Sequence, residues 1–258
     1  MLVLQANAKI NLSLEIVGKE NDGYHAIKSI FQSINLSDFL EIKKNISTQL
    51  TGSILTSKNN QVIFKSVVLL QDFVRKTLPC SIHLQKNIPI AAGLGGESVD
   101  AAAVIIGINK LYNLSLSKTE LREIAIKVGS DVPFFLEGGT RLVEGRGEIV
   151  KISSKIKPTN YYVLARPHTR VLTAEIFKIY DKQKNLFESC ATVCPDIKCL
   201  KKYFSGFCSK QYGLSGSGPT MFCGVDDFTQ AEEIAYGLEK FNGDIFIVRP
   251  ESAGVKII

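Results

Sequence analysis

The chain has 258 residues, 45% of them hydrophobic and 22% charged, with 31 basic against 25 acidic side chains. That is enough for one large domain or two modest ones, each with its own core. No run of 18 apolar residues exists, which excludes a predicted membrane-spanning helix, and a net charge of +6 with interleaved signs is too mild for a nucleic-acid-binding surface. The first residues carry no basic stretch or cleavage site, so no signal peptide is expected. Six cysteines without a regular spacing predict reduced thiols and a cytoplasmic setting.

Residues 2–17 alternate apolar and polar and predict a strand, one face of which carries Lys9, Asn11 and Ser13. A lone lysine inside an alternating strand is usually just the wet face. The turn at Asn21, Asp22 and Gly23 ends it. Tyr24 and His25 follow, then a strand over 39–43, a polar surface hairpin over 44–60, and a helix from about 59–61 to 76.

Residues 81–85 predict another strand, and 86–103 follow with Gly93, Gly95 and Gly96 inside four positions, opening an Ala- and Ile-rich helix to about Tyr112. A strand, a glycine loop and a helix start make a site for anions, because the backbone comes close and N–H groups at the helix start point outward. The plainer alternative is a tight turn before a core helix. Two common phosphate loops do not fit: no lysine follows for a P-loop, and Ser98 stands where the dinucleotide fingerprint needs its third glycine.

Ser117 and Glu120 form a predicted capping box, Leu121, Ile124, Ala125 and Val128 give a helical stripe, and Gly129 sits where a helix-ending glycine belongs. Asp131 opens a second short helix and alone would read as its cap. Residues 140–152 predict a hairpin around Gly145 and Gly147. A polar stretch near 153–160 predicts the boundary between a domain over 1–153 and one over 154–258. The second part reads as strand 161–165, helices 173–180 and 195–204, strand 212–214, a Gly/Ser loop over 215–219, strand 220–224, helix 228–240 and strand 244–250. This mixture predicts an α+β fold.

Lys9, the glycine loop and Asp131 suit one chemistry. Phosphoryl transfer to an alcohol needs backbone donors for phosphates, a carboxylate for the hydroxyl proton and a cation against developing charge. The chain resembles the GHMP kinases on these stretches. Residues 89–102, with Pro89 and the Gly-Leu-Gly-Gly run, are similar to the family's second motif, and 214–222 to its third. Residues 8–14, 22–25 with Phe31 and Gln32, 129–135 and 144–148 resemble the members that act on a cytidylated methylerythritol.

The resemblance implies a two-domain GHMP kinase architecture, with an N-terminal half like ribosomal protein S5 domain 2 and a ferredoxin-like C-terminal half. It implies Lys9 and Asp131 as the catalytic pair, with ATP and Mg²⁺ as cofactors and no assignable side-chain metal ligand. Pro89, Ile90, Ala91, Ala92, Gly93, Leu94, Gly95, Gly96, Glu97, Ser98 and Val99 would line the ATP phosphates. Asn11, Tyr24, His25, Phe31, Thr173 and Phe177 would meet the small-molecule substrate, with Tyr24 and Phe177 clamping the cytosine and His25 hydrogen-bonding it. No nucleic-acid or membrane partner is expected, and oligomeric state is not legible. Homoserine- or mevalonate-type kinases, a catalytically silent sensor on this fold and an RNA-binding module are the alternatives.

One departure concerns Glu97, which stands where the family has Gly or Ser. A carboxylate against a phosphate at close range costs about 4 kcal/mol at an effective dielectric near 20. Glu97 is therefore expected to point to solvent or to hold Mg²⁺ through water.

Overall fold

The computed structural model describes residues 1–52, 57–153, 156–207 and 211–258, without the side chains of 57–60. Strands β1 (Leu2–Lys19) and β2 (His25–Lys44) form a long antiparallel pair. They are followed by β3 (Gln49–Gly52), α1 (Ser57–Val74) and β4 (Cys80–Gln85). The glycine loop then leads into α2 (Gly96–Leu111), α3 (Lys118–Val128), α4 (Val132–Glu137) and the hairpin β5 (Thr140–Gly145) and β6 (Ile149–Ile152).

The second half runs β7 (Tyr161–Pro167), α5 (Thr173–Gln183), α6 (Leu186–Val193), α7 (Asp196–Ser205), β8 (Tyr212–Leu214), β9 (Met221–Val225), α8 (Phe228–Tyr236), β10 (Gly243–Val248) and β11 (Val255–Ile257). One sheet is ordered β11-β1-β2-β4-β3, with β5 and β6 attached to β2; the other is ordered β10-β7-β9-β8. The mixed helix and strand content agrees with the α+β reading.

Alternation explains the first core. Leu4, Ala6, Ala8 and Ile10 of β1 are fully buried with Val99, Ala102 and Ile105 of α2. A run of Ala and Ile on α2 gives a helix without a polar face, as befits one buried between the sheet and α1. A second core under the other sheet holds Val163, Ala165, Ile176, Leu200 and Ile234.

Several expectations are corrected. Residues 25–44 form one strand rather than a short one at 39–43, because β2 gains partners on both edges, β1 on one side and β4 and β5 on the other. The stretch 44–60 is not a hairpin: β3 pairs in parallel with β4, and α1 begins at Ser57; residues 53–56 lie outside the description. Gly129 closes α3 in extended backbone, φ −177°, rather than in the left-handed turn. Helix α8 stops at Tyr236 rather than continuing to 240. Helix α6, which Asn185 caps three residues before Glu188, and strand β11 were not among the expected elements; β11 returns from the C-terminus to pair with β1. Cys80, Cys190, Cys194 and Cys199 are free thiols, but Cys223 is disulfide-bonded, against the expectation of reduced thiols throughout. No helix among the described residues is long and apolar enough to cross a membrane.

Candidate active site

The site begins where β1 is irregular. The β1–β2 register shifts between Asn7 and Lys9 and again between Asn11 and Ser13. Bulges of this kind re-aim side chains. Lys9 and Asn11 are each only 3% exposed, yet both are polar. The Lys9 ammonium donates to Asn11 Oδ1 at 2.7 Å, lies 4.6 Å above the Phe31 ring, and sits 3.6 Å from Asp131 Oδ2. Asn11 Nδ2 donates to Ser29 Oγ at 2.9 Å, which fixes its amide with the oxygen toward Lys9. Burial pushes the Lys9 pKa below the ordinary lysine range, and the Asp131 charge only partly opposes it.

Asp131 stands at the start of α4 but makes no capping hydrogen bond with its side chain. Its local job as a cap is therefore unused, and its carboxylate turns to Lys9 instead. Beneath this pair, Phe134 packs edge-on against Phe31 and Phe135.

The glycine loop meets the pair from the other side. Lys9 N donates to Leu94 O at 3.0 Å. Gly95 takes φ +73° as the residue before α2, and a Cβ there would strike the Phe135 ring at 2.6 Å and Lys9 Cγ at 3.1 Å. Gly93 takes φ +77°, and a Cβ there would lie 2.2 Å from Ser215 O. So the second Gly/Ser loop packs directly on the first. Ser215 Oγ donates to Gly93 O at 3.0 Å and accepts from Asn11 N at 3.4 Å. Gly216 lies against Asn11 and Lys9, its built Cβ 3.4 Å from Asn11 Oδ1 and 3.6 Å from Lys9 Nζ. A cleft of about 390 Å³ opens beside Asn11 and Gly216, walled by Leu14, Phe187 and Leu214. Glu97 is half-buried in the first turn of α2, not fully turned to water.

A second cluster lies at the far end of the β1–β2 pair. His25 stacks on Phe177 with ring centroids 4.8 Å apart and planes at 21°, and its Nε2 lies 2.8 Å from Asp181 Oδ1. Tyr24 is exposed, and the Arg146 guanidinium sits 4.7 Å over its ring. Each of the two expected clamp rings thus already has one partner, His25 for Phe177 and Arg146 for Tyr24. Phe31, expected near the base, is buried at the level of Lys9. Thr173 lies at the first position of α5 and bonds Ser217 Oγ at 2.9 Å, tying that helix to the second glycine loop.

Three contributors had escaped sequence reading. Ser215 is the bridge just described. Arg166 of β7 donates to Ile90 O in the glycine loop at 3.2 Å while pairing with Asp244 at 2.7 Å. Lys86 is fully enclosed with Asp38 and Asp100, and Asp38 Oδ1 accepts from the N–H groups of Asn87 and Ile88 at 2.6 and 2.8 Å. This trio pins the strand end before the loop to β2 and α2. Only long-range pairing makes these contacts, so residue spacing carried no sign of them.

The chain is similar to known proteins over nearly its whole length. Residues 61–139 match the GHMP kinases N terminal domain. A protein of Carboxydothermus hydrogenoformans named 4-diphosphocytidyl-2-C-methyl-D-erythritol kinase is 37% identical, the match covering 98% of each chain. One of Bacillus cereus with the same name is 34% identical over 96% of each. Among solved structures, a 4-(cytidine 5'-diphospho)-2C-methyl-D-erythritol kinase superposes with a TM-score of 0.79 at 24% identity, covering 96% of this chain and 98% of that one. A homoserine kinase from Cytophaga hutchinsonii has the same fold, with a TM-score of 0.75 at 16% identity over 100% of this chain and 97% of that one. On the full-length likeness to the curated relatives, the chain belongs to the GHMP kinases, in the branch of the 4-diphosphocytidyl-2-C-methyl-D-erythritol kinases.

Proposed function

We propose that the protein transfers the γ-phosphoryl group of ATP to the 2-hydroxyl of 4-diphosphocytidyl-2-C-methyl-D-erythritol, a step toward isoprenoid precursors. The observation that carries this reading is the meeting of Lys9 and Asp131 beside the glycine loop, 3.6 Å apart. Asp131 accepts the proton of the substrate hydroxyl as its oxygen attacks the γ-phosphorus and the bond to the β-phosphate oxygen breaks. Lys9 orients the hydroxyl and offsets charge on the transferring group. Burial lowers its pKa and leaves its charge less screened than it would be at the surface.

Residues 89–99 and the start of α2 hold the triphosphate, with backbone N–H groups rather than a lysine as the donors. Mg²⁺, when bound, neutralises triphosphate charge. The described residues include no group of three or more His, Cys, Asp or Glu that would hold a metal alone. That fits Mg²⁺, which takes one or two carboxylates and otherwise phosphate and water. Glu97, in the first turn of α2, would help hold the ion only through water.

Span supports the acceptor. His25 lies six residues along β2 from Phe31, which lies under Lys9, or up to about 20 Å at ~3.3 Å per residue. An extended cytidine diphosphate alcohol reaches across that distance. Asn11 stands at the Lys9 end of this path, Thr173 beside the second glycine loop, and Tyr24, His25 and Phe177 at its base end. Closing Tyr24 and Phe177 on a cytosine means releasing Phe177 from His25 or using its other face. We also place the division between the two halves at 153/154, with β11 crossing back, and the protein in the cytoplasm.

The test is a substrate panel with ATP and Mg²⁺: the cytidylated methylerythritol, methylerythritol phosphate, homoserine and mevalonate. Turnover confined to the cytidylated compound is expected. Turnover of homoserine or mevalonate instead would replace the reading with another GHMP activity, and ATP binding without turnover of any would favour a sensor.

A further inference from the structure

Helix α5 grips His25 from two positions one turn apart. Phe177 covers one face of the imidazole, and Asp181, four residues on, bonds its Nε2 at 2.8 Å. Tyr180 closes the ring edge, with centroids 5.6 Å apart and planes at 89°. The other carboxylate oxygen of Asp181 is itself held, by Lys19 at 2.5 Å, and Lys184 stands 3.9 Å from the first. The His25 side chain is 7% exposed. Among the described residues its Nδ1 makes no hydrogen bond. Every edge of the ring is thus committed except one nitrogen.

We propose that Asp181 is a positioning residue that decides the character of that nitrogen: by accepting a hydrogen bond from Nε2–H it leaves Nδ1 as an acceptor, and so selects a base with an exocyclic amine over one with a carbonyl at the same edge. This rests on the nucleotide-linked acceptor proposed above. An ionised carboxylate only accepts, so the nitrogen facing it carries the hydrogen; in a neutral imidazole the other nitrogen is then an acceptor. The Lys19 and His25 contacts hold the Asp181 carboxyl down at about 2, so it remains ionised in any working buffer. Cytosine offers an amine to Nδ1. Uracil offers a carbonyl, which sets acceptor against acceptor and leaves both unpaired in a half-closed site. The expected preference is about ten- to a hundredfold.

The experiment compares wild type, Asp181→Ala and Asp181→Asn in dissociation constants for cytidylated and uridylated methylerythritol. Alongside, the ¹⁵N shifts of the His25 ring report its tautomer in the unliganded protein. Wild type is expected to prefer the cytidylated compound and to show Nε2–H. Asp181→Ala should narrow the preference to about threefold or less and mix the tautomers. Asp181→Asn, whose amide oxygen still accepts from Nε2–H, should keep most of both. Equal weakening for the two compounds in Asp181→Ala, with the ratio kept, would reduce Asp181 to a brace between α5 and β1 and overturn the inference. So would an Nδ1–H tautomer in wild type, whatever the substrate proves to be. If the cytidylated compound binds to none of the three proteins, the proposed function falls, and the tautomer measurement still decides the role of Asp181.

Discussion

Two buried lysines flank the glycine loop, and they are opposites. Lys9 and Lys86 have side chains 4% and 3% exposed. Lys86 is saturated by two carboxylates that are themselves fully buried, Asp38 and Asp100. Burial alone would lower its pKa, but Asp100 and Asp38 outweigh it and raise it. Lys9 has a single carboxylate, partly exposed and 3.6 Å away, and its pKa falls. A cation whose charge is fully spent within the protein builds structure, whereas one under-compensated in a cleft has charge to give a ligand.

Removing each lysine should break the molecule in a different place. Lys9→Met is expected to lower kcat by 100-fold or more, with the unfolding free energy unchanged or raised, since a buried ammonium with a lowered pKa costs stability. Lys86→Met strands two buried carboxylates and should cost about 3–5 kcal/mol of stability, read in urea, while the folded fraction retains kcat within a few-fold. Equal losses of activity and stability in both variants would erase the distinction.

The contact between the two glycine loops sharpens the comparison at the next level. Gly93→Ala forces a side chain into φ +77° and against Ser215 O at 2.2 Å. Left-handed backbone costs about 1–2 kcal/mol, and the KM for ATP should rise about tenfold or more. Gly18→Ala, with nothing within 4 Å of its Cβ, is the matched control and should change nothing.

The lysines also separate by pH. Lys9 titrates lower in the folded than in the unfolded chain, so its ionisation makes stability rise as pH climbs from its folded value toward the ordinary lysine value of about 10.4. Lys86 titrates higher when folded, so its contribution is complete below about 10.4 and is lost only above that, through its raised value. As pH climbs toward about 10.4, urea unfolding should show a rise in wild type that is absent from Lys9→Met, and kcat should fall as Lys9 loses its proton.

The smallest effect is expected at Glu97. Glu97→Gly removes a favourable charge from the first turn of α2, worth about 0.3–1 kcal/mol, and should change the KM for ATP less than about threefold. A sharp gain in ATP affinity would mean that the carboxylate repels the phosphates.

How much of this was readable beforehand follows from range. The capping box of Ser117 and Glu120, the glycines before α2 and the alternation of β1 are local, and all are where the sequence put them. Lys9 and Asp131 were nameable through the family resemblance, but whether their charges meet depends on two bulges and an uncapped helix start. Ser215, Arg166 and the Lys86 trio act through contacts 14 to 122 residues apart, which no helical or strand spacing reveals. Asp181 lies one residue past the helix expected over 173–180; α5 runs on to Gln183 and so carries it on the face of Phe177.

The central claim is that Asp131 takes the acceptor proton with Lys9 beside it. The most direct measurement is single-turnover transfer of ³²P from γ-labelled ATP to the cytidylated methylerythritol, with both substrates saturating, in wild type and Asp131→Asn. The account predicts that the variant binds both substrates with affinities within a few-fold of wild type and transfers phosphate at least 100-fold more slowly. Transfer in Asp131→Asn at the wild-type rate would contradict it.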